Sequence, residues 1–244
     1  MKQKFSKTLH KKFIKHFNIK ETPSEIEKSF IKKTEKYIKY IKWIPWLKMV
    51  WIWNSISMNC ATAESDIDLF IVTTPNSMWL NRIIITFIFQ ILWVRKTHKK
   101  HAWRFCLSFF ATTDWLDFSD WKIDNDIYLY FWIVYFKPIL DIDNTYNLFI
   151  EKNSSWADFS EYLPHPWIPS PLEEKEATKD TPPLLQRRGG WGVRGLNKIL
   201  KKIFLPKTLK HYNSLWKPYW VIINDNMLKF HDWDIREKTK KELV

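Results

Sequence analysis

Apolar residues fall four apart at Phe5, Leu9, Phe13 and Phe17, on one face of a helix. A second helix is predicted from Ser24. Ser24 and Glu27 form a capping box directly after Pro23, and Ile26, Phe30, Ile31, Ile38 and Ile41 carry the apolar stripe until Pro45 ends it. Strand-like runs follow at 47–52 and 66–73, separated by a polar, small-residue stretch over 54–65. Pro75 and Asn76 open an apolar helix over 78–94, followed by a basic loop over 95–101 and a strand over 105–112. Helices over 126–136 and 144–162 come next, the second from an Asn cap. This alternation predicts an α/β (α+β) fold: a small mixed sheet flanked by helices, with helical additions at both ends.

Four segments emerge. Residues 1–45 are a basic helical segment and 46–162 the α/β domain. Residues 163–196 hold six of the 12 Pro and all four Gly without apolar periodicity, which marks a disordered linker or insertion. Residues 197–244 read as a basic helix over 197–204, an extended run over 219–224, a turn at Asn224-Asp225-Asn226 and a final helix from Asp232.

The longest apolar run, Ile83 to Val94, is too short for the ~20 residues that span a bilayer, so a buried helix is expected and no stable membrane insertion. The net charge is +13, and the first 50 residues carry 14 Lys against 4 Glu. Such basic helices attract phosphate-bearing partners, nucleic acid included. Cys60 and Cys106 are too few and too far apart for a disulfide framework or a zinc site, and the Lys-rich N-terminus lacks the apolar core of a signal peptide. Both features point to the cytoplasm.

One imbalance changes the reading. The chain has 16 Trp and 4 Gly, and all the Gly lie between 189 and 195. A turn-rich domain without Gly is physically implausible, because only Gly adopts positive φ without cost. The remaining Trp occur at the frequency expected of Gly. Many Trp are therefore expected to stand where the natural chain has Gly, as happens when a stop codon reassigned to Gly is decoded as Trp; Trp46, Trp51 and Trp53 are the leading positions.

The candidate chemistry lies between Val50 and Thr73. Asn54-Ser55 precedes Asp66-Ile67-Asp68 by ten intervening residues, and the strand runs on through Leu69, Phe70, Ile71 and Val72. Alternation puts Asp66 and Asp68 on one face, about 7 Å apart, where two carboxylates can share one or two hard cations such as Mg²⁺. That arrangement suits phosphoryl or nucleotidyl transfer. Ser55 would offer its hydroxyl and nearby N–H groups to a triphosphate.

This stretch resembles the nucleotidyltransferase superfamily related to DNA polymerase β, whose members share a Gly-Ser pair, a small-residue helix and then Ser-Asp-x-Asp on a strand. The likeness is nearest to its minimal, antibiotic-type branch. It implies that Ser55 binds phosphate, Asn54 stands at the Gly position, Ser65 turns the chain into the strand, and Asp66 and Asp68 hold Mg²⁺ or Mn²⁺. The implied activity is transfer of a nucleoside monophosphate from an NTP to a hydroxyl acceptor. It also implies a third carboxylate on a later strand. Residues 104–110 contain no acid, and Asp114 is the nearest substitute. A second constellation, Lys229, His231 and Arg236, offers phosphate contacts and proton transfer, and His98 and His101 lie in the basic loop. Without the third acid, the alternative is a non-catalytic member that binds nucleotide or RNA.

Overall fold

A computed structural model describes residues 5–159, 191–213, 220–231 and 234–244. Most of the linker, residues 163–190, and the helix start at Asp232 lie outside these. Seven helices and a six-stranded mixed sheet make up the described fold. In chain order they are α1 (Lys7–Phe17), α2 (Glu25–Ile38), β1 (Leu47–Ile52), β2 (Ile67–Thr73), α3 (Met78–Ile91), β3 (Phe105–Thr112), α4 (Ile127–Val134), β4 (Lys137–Asp141), α5 (Thr145–Asn153), α6 (Trp191–Asn213), β5 (Trp220–Ile223), β6 (Met227–His231) and α7 (Arg236–Leu243).

The spatial order is β4-β1-β2-β3-β6-β5, and only β2 and β3 run parallel. α3 is the crossover between that parallel pair. β2, read as IDLFIVT, is an almost continuous apolar run because both sheet faces are covered. Phe70 and Val72 enter a core with Phe13 of α1, Trp132 of α4 and Phe149 of α5. Ile67, Leu69 and Ile71 enter the opposite core with Phe30 of α2 and Phe89 of α3. The basic N-terminal segment thus contributes one helix to each face.

The sheet is larger than the apolar pattern suggests. β4 escapes notice because Pro138 interrupts it; Pro is tolerated there because β4 is an edge strand. β6 follows the Asn224–Asn226 turn directly, so the C-terminal segment adds a hairpin to the sheet. α6 begins at Trp191, inside the stretch read as linker, and α5 stops at Asn153. The Asn153 amide donates to the Leu116 carbonyl at 2.7 Å and accepts from the Phe118 N–H at 2.9 Å, which anchors this helix end.

Nine described non-Gly residues have positive φ: six Asn, Asp143, Trp93 and Trp103. The Asn positions follow that residue's tolerance of the left-handed region. The two Trp do not. Trp93 directly follows the C-cap of α3, where its N–H bonds the Gln90 carbonyl at 3.1 Å and the Val94 N–H bonds the Phe89 carbonyl at 3.1 Å. This is the helix-ending motif that Gly normally occupies. Trp51 and Trp53, by contrast, are buried within extended backbone or beside it.

Candidate functional site

Three segments converge on a cavity of about 420 Å³: the turn after β1, the start of β2 and the start of β3. Asn54, Ser55, Asp66, Asp68, Lys96 and Cys106 line it, among others. The antiparallel β1–β2 pairing puts Trp53 against Asp68, with the Trp53 N–H donating to the Asp68 carbonyl at 3.2 Å. Asn54 follows in the left-handed conformation, φ 63°. Its Nδ2 donates to Asp68 Oδ2 at 2.8 Å, and its Oδ1 accepts from Trp132 Nε1 at 3.0 Å.

The chain then closes an irregular helical turn. Met58 N donates to the Asn54 carbonyl at 3.0 Å, Cys60 N to the Ser55 carbonyl at 2.9 Å, and Ser57 Oγ to the Asn54 carbonyl at 2.8 Å. The turn is held from below. Buried Lys137 on β4 donates from Nζ to Asn59 Oδ1 at 2.5 Å and to the Ile56 carbonyl at 3.4 Å. Glu27 Oε1 on α2 accepts the Ala61 N–H at 2.9 Å. Burial lowers the Lys137 pKa to about 8.

Asp66 and Asp68 straddle the first residue of β2, so both lie on one face. The parallel register sets Asp68 beside Cys106. One ligand atom each from Asp66, Asp68 and Cys106 lie within 4.8 Å of one another. Lys96, in the basic loop, pairs with Asp66 Oδ2 at 2.7 Å. Burial, reinforced by the Asp66 charge, pushes the Asp68 pKa up to about 7. Burial and then the Asp68 charge hold the Cys106 thiol well above its usual range, and its Sγ donates to Ser108 Oγ at 3.3 Å.

Two close carboxylates suit a hard divalent cation, which would relieve this mutual repulsion. A protonated thiol adds little to such a donor set. Cys106 stands on the strand beside the pair, where the resemblance calls for a third carboxylate. Sequence reasoning passed over Cys106 and Lys96 because both enter through the β2–β3 register and the path of the loop before β3.

The other expected residues lie elsewhere. Ser65 Oγ accepts the Thr62 N–H at 2.9 Å and its carbonyl accepts the Trp103 N–H at 2.9 Å, which makes it the residue that turns the chain into β2. Asp114 occupies a 3₁₀ turn beyond Thr112, at the opposite end of β3 from Cys106. At ~3.3 Å per strand residue this is roughly 20 Å from the acid pair, too far to serve as the third ligand. Lys229, opposite Phe109 in β6, is fully buried, with Nζ 5.9 Å from the ring centres of Trp53 and Trp132. Burial depresses its pKa strongly, and it is not among the residues that line the cavity.

Arg236 is built into the fold. Its Nε and Nη2 clamp Asp234 at 2.8 and 2.5 Å, its Nη1 donates to the Trp121 carbonyl at 2.5 Å, and Asp126 lies 3.5 Å from Nη1. That set of partners explains its burial without a phosphate. The His231 side chain lies outside the described residues, and His98 and His101 are exposed.

No family model, curated protein or solved structure matches this chain. Among the described residues, no helix is long and apolar enough to cross a membrane.

Proposed function

We propose that this cleft is a nucleotidyltransferase site: it binds an NTP, transfers the nucleoside monophosphate to a hydroxyl acceptor and releases pyrophosphate. One observation carries the reading. Asp66, Asp68 and the Asn54–Ser55 turn converge on one cavity from separate segments, as metal and triphosphate binding requires. Asp66 and Asp68 would hold Mg²⁺ or Mn²⁺, which would offset charge on the phosphates and on the attacking and leaving oxygens. Ser55 and the N–H groups of its turn would hold the triphosphate, and Asn54 orients Asp68. The acceptor oxygen forms a bond to the α-phosphorus while the bond from that phosphorus to the bridging oxygen breaks; the acceptor proton leaves to solvent or to a base. Cytoplasmic location fits this use of NTP.

A second reading is a nucleotide- or RNA-binding protein without transfer activity. Cys106 at the third-acid position favours it. Calorimetric titration with ATP, GTP, CTP and UTP, each with and without Mg²⁺ or Mn²⁺, tests the site. Metal-dependent binding by wild type and its loss in an Asp66→Asn/Asp68→Asn variant of unchanged melting temperature support it. Equal affinity in both proteins overturns it. Pyrophosphate release in the presence of an acceptor then separates the two readings.

A further inference from the structure

A second, larger cleft adjoins the acid pair. Lys96, Cys106, Ser108 and Phe230 line both cavities, so the two share a wall. The larger has a volume of about 1090 Å³ and runs along α3, the loop before β3 and α6. α6 is anchored to α3 there: Asn197 Oδ1 accepts the Leu80 N–H at 3.1 Å.

The chemistry of its wall is one-sided. Arg82, Arg95, Lys96, Lys207, His98 and His101 line it, and among the described residues no Asp or Glu does. Flat apolar surface is interleaved with these groups. Phe87 is 64% exposed and Phe204 38% exposed, Lys207 Nζ lies 5.9 Å from the Phe204 ring centre, and Arg82 sits 4.5 Å over the Phe230 ring. Cations alone suit any anion. Cations alternating with exposed rings, in an open trough, suit a chain of phosphates carrying planar bases, which stack on aromatic faces regardless of sequence. A volume near 1000 Å³ is at the upper end of what a drug-sized molecule occupies and leaves room for a short run of nucleotides.

We infer that this cleft binds the end of a single-stranded polynucleotide and delivers its terminal hydroxyl to Asp66 and Asp68. The inference rests on the reading of the acid pair as a nucleotidyl-transfer site and names its acceptor class. It also assigns the nucleic-acid surface to the cleft along α3 and α6 and not to the lysines of α1 and α2.

The test is fluorescence anisotropy of the full chain with a fluorescein-labelled single-stranded RNA ten-mer, with DNA of the same sequence, duplex and AMP as competitors. The variant is Arg95→Glu/Lys207→Glu, two exposed positions whose reversal leaves the core untouched. The expected result is at least ten-fold weaker binding of the single strand and a shallower salt dependence, by roughly 1.4 in the log–log slope at ~0.7 per lost phosphate contact. Metal-dependent NTP binding stays at the wild-type level in that variant, and Asp66→Asn/Asp68→Asn keeps the oligonucleotide while losing NTP. That opposite pattern separates failure of this inference from failure of the acid-pair reading. Unchanged oligonucleotide binding in the charge-reversed variant overturns the inference. So does competition by AMP or duplex as effective as that of the single strand, or loss of binding on reversing Lys11 and Lys15 of α1 instead.

Discussion

Asn54 Nδ2 lies 2.8 Å from Asp68 Oδ2, and this hydrogen bond joins the positive-φ residue after β1 to the carboxylate at the start of β2. Trp132 completes it by donating to Asn54 Oδ1 at 3.0 Å, so the amide cannot turn over without losing both bonds. The position serves two ends: the backbone needs a left-handed residue, and the carboxylate needs a donor.

Substitution separates the two. Asn54→Gly keeps the backbone conformation at no steric cost but removes the donor to Asp68. The expected outcome is a melting temperature within a few degrees of wild type and a 10- to 100-fold loss in Mn²⁺ affinity, the usual effect of removing a group that orients a metal ligand. Calorimetric Mn²⁺ titration beside a thermal melt checks it. Unchanged Mn²⁺ affinity would show that Asp68 needs no orientation from Asn54.

Cys106 faces the same pair from β3. Cys106→Asp supplies the third oxygen ligand that a hard cation prefers over a protonated thiol. The variant is expected to bind Mn²⁺ at least ten-fold more tightly and to release pyrophosphate from NTP faster than wild type. Without metal a third acid beside two others costs stability, so its melting temperature should fall in EDTA and recover on adding Mn²⁺. A variant equally stable in both conditions would show that the side chain at 106 does not reach the ion.

Lys137 ties the turn below Ser55 to β4, and burial lowers its pKa to about 8 from an ordinary 10.5. Below pH 8 both folded and unfolded chains carry the proton, and the folded state bears the full cost of a buried charge. Between about pH 8 and 10.5 the unfolded chain keeps the proton and the folded one loses it, so stability from this group rises with pH. The full effect is on the order of 3 kcal/mol, at ~1.4 kcal/mol per pH unit. Lys137→Met should lack that rise. The measurement is urea unfolding from pH 7 to 10 on both proteins, compared as a difference because other groups titrate in the same window. Parallel stability curves would mean that Lys137 stays protonated in the fold.

Much of this arrangement is legible in the chain and part of it is not. The capping box at Ser24 and Glu27, the apolar stripe of α3 and the apolar runs of β1 to β3 are local patterns, and the structure has those elements. The acid pair is legible for the same reason, since two residues apart on a strand means one face. β4 and β6 are short, and Pro138 disguises the first, so only their pairing with β1 and β3 stabilises them as strands. Cys106 becomes a neighbour of Asp68 through the register of two parallel strands joined by a helix, which no spacing reveals. Arg236 looked like a phosphate ligand because its partners Asp126 and Trp121 are more than 100 residues away.

The Trp and Gly imbalance gives the last prediction, at a different position from those the sequence suggested. Trp51 fills a core, packing against Phe136 and Phe149 at 4.8 and 4.6 Å between ring centres, so Gly there would leave a cavity in this fold. Trp93 is the reverse case: φ is 56°, the side chain is 78% exposed, and the backbone makes both hydrogen bonds of the helix-ending motif. Holding a non-Gly residue in the left-handed region costs roughly 1–2 kcal/mol, and the indole regains little by packing. The greater chain freedom of Gly when unfolded returns part of that cost, leaving a net gain of about 1 kcal/mol for Trp93→Gly. At this chain length that corresponds to a rise of about 2–4 °C in melting temperature. Trp43→Gly is the control. Trp43 is also exposed, but its φ is not positive and its Nε1 donates to the Tyr40 carbonyl at 2.7 Å, so Gly there should lower the melting temperature or leave it unchanged. Stabilisation by Trp93→Gly alone would identify residue 93 as a glycine position by its backbone, and the intact mass of the protein from its native source would show which residue it carries. A lower melting temperature for Trp93→Gly would show that the fold holds Trp in the left-handed region without net cost, and a native mass equal to that of the written sequence would show that the protein carries Trp there.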